Sequence, residues 1–121
     1  MSSYEDKIKD LTSKVIQFRD DRNWKQFHNP KDLSISLALE ASELLENFQW
    51  KSNEEALTKK LDNIKEELAD VLIYSLLLAH ELELDVEGII LDKLAKNNVK
   101  YSVSEAYGSN KKYTELGSED E

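Results

Sequence analysis

Three observations predict an all-α fold of four helices. Three glycines and one proline in 121 residues leave few of the tight turns that β-sheets need. Apolar residues recur at spacings of three and four, the period of one helix face. Residues suited to helix starts stand where those stripes begin. Apolar residues make up 40% of the chain and charged ones 34%, the balance of one globular domain with room for a core.

The first helix is predicted over residues 3–22, where Tyr4, Ile8, Leu11, Val15 and Phe18 form one stripe. "NWKQFHNP" breaks the pattern, Asn29 can cap the next helix, and Pro30 suits its first turn. The second helix is predicted over residues 30–49. Ser52 and Glu55 then make a capping box for a third. The third turns Leu57, Leu61, Ile64 and Leu68 inward and becomes apolar all round through "VLIYSLLLA". A second subunit is the expected cover for that extra face. Asp85 can cap a fourth helix over residues 86–100, with Ile89, Ile90 and Leu94 facing inward. Residues 1–104 are expected to form the helical domain, and 105–121 an acidic, partly disordered tail.

The net charge of −9 argues against a partner made of nucleic-acid polymer, whose phosphates need a basic face. The chain has no cysteine, which removes disulfides and thiolate chemistry. No apolar run is long enough to span a bilayer, and "MSSYEDKIKD" has no apolar signal core. A cytoplasmic protein with no membrane partner is the expectation.

Within "SISLALEASELLENFQW" two acids interrupt a core-like pattern. On a helical wheel Glu40 lies about 40° from Leu44 and about 20° from Leu33, and Glu43 sits at the stripe's edge one turn on. The third helix repeats the arrangement with Glu67 and Asp70. An isolated Glu-x-x-Glu reads as solvated surface, which suits Glu54, Glu55 and Glu66. Two such pairs on apolar flanks are costly unless neutralised, and neither helix has a basic residue on that flank. A divalent cation satisfies all four. An all-oxygen set suits Mg²⁺, or Mn²⁺ in its place. The Glu-x-x-His pattern of di-iron bundles is absent, since Lys25 and Leu77 stand three residues before His28 and His80.

In "RNWKQFHNP", "LEASELLENFQWKS", "EELADVLIY", "DKLAKNNVKY" and "KKYTEL" the chain resembles the MazG-like all-α nucleoside triphosphate pyrophosphohydrolases, in particular their dCTP pyrophosphatase branch. The resemblance implies a four-helix bundle completed by oligomerisation, as a dimer or a dimer-of-dimers tetramer. It implies cleavage of a (d)NTP, dCTP-like or modified, to the monophosphate and pyrophosphate, which would cleanse the nucleotide pool. Glu40, Glu43, Glu67 and Asp70 match the family's Mg²⁺-binding, catalytic ExxE…ExxD pattern. Lys93, Asn97 and Tyr101 match its phosphate and sugar contacts, and Trp24, His28 and Trp50 its base pocket. Without the family, Lys93 and Asn97 read equally well as surface and the aromatics as core. Glu46 is an auxiliary ligand candidate, and Tyr74 is either core or a pocket hydroxyl. Many members carry EExxE, where this chain has Leu39 before Glu40. The rival reading is a non-catalytic helical oligomerisation or interaction module, with its acids facing outward.

Overall fold

The computed structural model describes residues 7–116. Among them there is no strand. The helices are α1 (Lys7–Asp21), α2 (Pro30–Glu46), α3 (Asn53–Glu81), α4 (Val86–Lys100) and α5 (Val103–Ala106). Short 3₁₀ turns cover Lys25–Phe27 and Tyr113–Glu115. The described residues fall into two compact units, one ending at Asp85 and the other beginning at Val86. No helix among them is long and apolar enough to cross a membrane.

Local chemistry sets the helix starts. The Asn29 side chain accepts the Asp32 amide at 2.9 Å, with Pro30 in the first turn of α2. Ser52 and Glu55 form the expected capping box, each backbone amide donating to the other's side chain at 3.2 Å. From there α3 runs 29 residues, about 43 Å.

Helix ends are where sequence and structure part. The stop of α2 comes at Glu46, earlier than the predicted Gln49, because the chain tightens into successive i→i−3 turns. Phe48 and Gln49 donate to the carbonyls of Leu45 and Glu46, and Trp50 follows in the left-handed region at φ 63°. Helices α1 and α3 share one ending. Asn23 and Glu83 take φ 56°. Trp24 and Leu84 donate to the carbonyls of Arg19 and Ala79, while Asn23 and Glu83 donate to those of Asp20 and His80. This is the Schellman arrangement, with residues other than glycine at its left-handed position. The predicted start of the first helix before Lys7 lies outside the described residues.

In the first unit α3 packs against both α1 and α2. Leu33, Ala56, Leu77 and Ala79 are its buried apolar residues. Asn47 joins them at 4% exposure. Its Oδ1 accepts from Asn63 Nδ2 at 2.7 Å, and its own Nδ2 donates to the carbonyls of Glu43 and Leu44 at 3.3 and 3.2 Å. An amide relay therefore ties α3 to the backbone of Glu43.

In the second unit Tyr101 meets Tyr113 edge to face, and Lys100 lies over the Tyr113 ring. The stretch after Tyr101, which shows no periodicity, thus still forms α5 and a 3₁₀ turn. Residues 117–121 lie outside the described part. Ile89, Ile90 and Leu94, expected to face inward, are about half exposed. So are Leu61, Leu68 and Leu72 on α3. Periodicity marks a face as apolar, and a single chain this small has too few elements to cover every such face.

Replacing Asn63 with leucine is expected to cost about 1–3 kcal/mol, because the buried Asn47 oxygen loses its donor. The Asn47→Leu/Asn63→Leu double variant should recover part of that loss. Denaturant melts of the three proteins measure both effects, and equal stability of single variant and parent would remove the relay's role.

Candidate active site

The two acidic pairs meet where α2 faces α3. One carboxylate oxygen each from Glu40, Glu67 and Asp70 lies within 4.8 Å of the others. Glu43 is the most exposed of the four, yet stays within hydrogen-bonding reach of Glu40 and Glu67. Asn47 follows Glu43 by one turn and Asn63 precedes Glu67 by one turn, so the amide relay fixes the register of one pair against the other.

The electrostatics are those of crowded, partly desolvated acids. Burial raises the Glu40 carboxyl from 4.5 to about 7, followed by the hydrogen bond and charge of Glu43 and the charges of Asp70 and Glu67. Glu67 is raised as well, by burial first and then by Glu43, with Asp70 adding and a hydrogen bond from Glu40 opposing. Glu40 Oε2 and Glu67 Oε2 are sealed from solvent with no hydrogen-bond partner. Two orphaned carboxylate oxygens beside a third form a donor set that could hold a metal ion. Their all-oxygen chemistry fits a hard divalent metal.

Asp70 also lines a neighbouring cleft of about 430 Å³, formed in the first unit by α1, α3 and the connection before α2. The cleft brings together Trp24, His28 and Tyr74 from the sequence-based candidates. Phe18 packs edge to face on Trp24, with ring centres 5.7 Å apart. The α1 stripe of Leu11, Val15 and Phe18 is therefore the wall of an open cleft, which explains why Leu11 and Phe18 are half exposed. His28 Nδ1 is buried without a partner. Burial, and next the Arg19 guanidinium, hold this imidazole below its ordinary value, against a smaller upward pull from Glu81.

The remaining candidates lie elsewhere. Trp50 is 92% exposed and is not part of the cleft wall. Glu46 is exposed and lines a separate surface hollow with Phe48 and Gln49. Lys93 and Asn97 belong to α4, and Tyr101 immediately follows it, all in the second unit. Sequence reasoning missed Arg19, a cleft residue only 4% exposed. The stretch "FRDDR" around it reads as an ordinary charged helix end, and no local signal sets Arg19 apart.

A pH dependence follows. The folded protein keeps the Glu40 proton up to about pH 7, whereas the unfolded chain releases it near 4.5. This contribution to stability is full below 4.5 and is lost as pH rises through about 7. With chelator present, melting temperatures should fall between about pH 5 and about pH 8, and Glu40→Gln should flatten that slope. Added Mg²⁺ or Mn²⁺ should stabilise more at the higher pH, because protons and metal compete for the same oxygens. An unchanged slope in the variant would contradict the assignment.

The MazG-like family profile matches residues 35–116. The likeness extends along the chain: dCTP pyrophosphatase 1 of Rattus norvegicus is 37% identical, over 94% of this chain and 70% of the relative. The Homo sapiens protein of the same name is 36% identical over the same shares. A pyrophosphatase from Archaeoglobus fulgidus superposes with a TM-score of 0.73 at 36% identity, covering 84% of this chain and 95% of its own. By sequence over most of its length and by fold, the chain belongs to the MazG-like family.

Proposed function

We propose that the chain is a Mg²⁺-dependent enzyme that hydrolyses a (d)NTP, dCTP-like or modified, between its α- and β-phosphates. The broader class is nucleotide pyrophosphohydrolysis, supported by family membership and by relatives that are themselves pyrophosphatases. One observation carries the finer reading. Asp70 belongs both to the acidic trio and to the wall of the aromatic cleft, so a metal-bound phosphate and a base in the cleft can belong to one molecule.

In this reading Glu40, Glu67 and Asp70 hold the ion, and Glu43 completes the acidic set. A divalent cation held by these carboxylates would supply charge neutralisation for the phosphates and a more acidic water. One carboxylate of the four takes the proton of the attacking water. One water is consumed, and the products are the nucleoside monophosphate and pyrophosphate. Trp24 offers its face to the base, His28 hydrogen-bonds the base edge, and the Tyr74 hydroxyl stands one turn after Asp70. Lys93, Asn97 and Tyr101 are assigned to the phosphates and sugar. Trp50 serves a base pocket only if a second copy brings one to it. That fits a homo-oligomer, dimer or tetramer, which would also cover the exposed leucines of α3. A role in cleansing the cytoplasmic nucleotide pool follows from such an activity.

Pyrophosphate release from a dNTP panel, with and without Mg²⁺, tests the reading. Glu40→Gln and Asp70→Asn should each lower the rate about a hundredfold or more, with helical circular dichroism unchanged. Full activity in either folded variant would break the metal assignment, and no release from any nucleotide would remove the enzymatic one.

A further inference from the structure

Arg19 and Asn47 are the buried polar residues among the described part of the chain. The Asn47 amide is satisfied on both sides by its relay. Arg19 is not. A guanidinium carries five N–H donors and no acceptor. Nε and Nη2 both turn to a single oxygen, Asp20 Oδ1, at 2.9 and 2.8 Å. The N–H groups left over, both on Nη1 and one on Nη2, have no protein partner among the described residues. Arg19 lines the same cleft as Trp24 and His28. These donors are not among the side-chain atoms sealed from solvent without a partner, so they stay open to water or to the acceptors of a ligand in the cleft.

We propose that Arg19 is a specificity-determining residue: its free N–H groups read the adjacent acceptors O2 and N3 of a cytosine base held in the cleft. This rests on the nucleotide reading above and goes beyond it by naming the group that selects the base. Thymine and uracil present N3–H where cytosine presents a lone pair, so they set donor against donor. A phosphate could also take the fork. The lining is mostly apolar, with Leu11, Phe18 and Leu77, but includes Lys14. A phosphate on the fork would bind dCMP, dTMP and dGMP alike, so a preference among these three separates base reading from phosphate binding.

His28 supports the same edge. Its Nδ1 is buried and unpartnered, and burial together with Arg19 favours the neutral ring. With Nδ1 unprotonated it can accept from the exocyclic amine next to N3 of cytosine. Guanine offers adjacent acceptors at O6 and N7, but no amine beside them. The groups are also held in fixed relation. The Trp24 amide donates to the Arg19 carbonyl at 3.1 Å, and the His28 amide to the Lys25 carbonyl at 3.0 Å. One run of backbone hydrogen bonds thus places the stacking ring, the fork and the imidazole.

Equilibrium binding of dCMP, dTMP and dGMP to the metal-free full chain tests this without turnover. The parent protein should favour dCMP over the other two by about tenfold or more. In Arg19→Met that preference should shrink to within about threefold, and Arg19→Lys should not restore it, since an ammonium lacks the planar fork. The kcat/KM ratio of dCTP to dTTP should move in parallel. No preference for dCMP in the parent overturns the proposal even if every variant misfolds, and so does a folded Arg19→Met that keeps the full preference. Selective dCMP binding without pyrophosphate release would remove the enzymatic reading and leave Arg19 in place. Release from all dNTPs with equal efficiency would do the reverse.

Discussion

Mutual repulsion among four carboxylates confined between two helices is the constraint to which the rest of the first unit answers. Glu40, Glu43, Glu67 and Asp70 stand together at the seam of α2 and α3, and two of their oxygens are sealed from water without a donor. Left alone, such a seam would open. It is closed by contacts that owe nothing to the acids: Leu33 and Ala56 buried in the same unit, capping at the start of each helix, and the amide relay through Asn47 and Asn63. The acids are thus held where their neutralisation must come from outside the chain.

Asp70 connects this strained seam to a different kind of surface. Toward α2 it faces carboxylates, and toward α1 it faces a cleft walled by rings and aliphatic side chains. The acidic seam suits a cation, and the cleft suits a flat ligand with a polar edge. Elsewhere the chain exposes long apolar residues on α3 and α4.

Much of the helix plan was legible from sequence because caps and periodicity are local. Asn29 with Pro30, and Ser52 with Glu55, mark starts that the structure keeps. The ends were harder to read, since Asn23, Trp50 and Glu83 occupy left-handed positions where glycine would have been the signal. The acidic cluster was legible because Glu40 sits on an apolar stripe and Glu67 with Asp70 repeats the spacing. Arg19 and Asn47 were not, because burial of a polar residue depends on tertiary neighbours that no local pattern encodes. The α1 stripe was read correctly as apolar, but sequence alone could not distinguish the wall of a cleft from a core.

The ending of α1 has a consequence for how such a cleft can change over evolutionary time. Trp24 is anchored through the carbonyl of residue 19, not through its side chain. Side chains at position 19 can therefore be exchanged without moving the Trp24 backbone. If Arg19 reads a base as proposed, a lineage could retune that choice by a single substitution there, keeping the aromatic cleft and the acidic cluster as a fixed chassis.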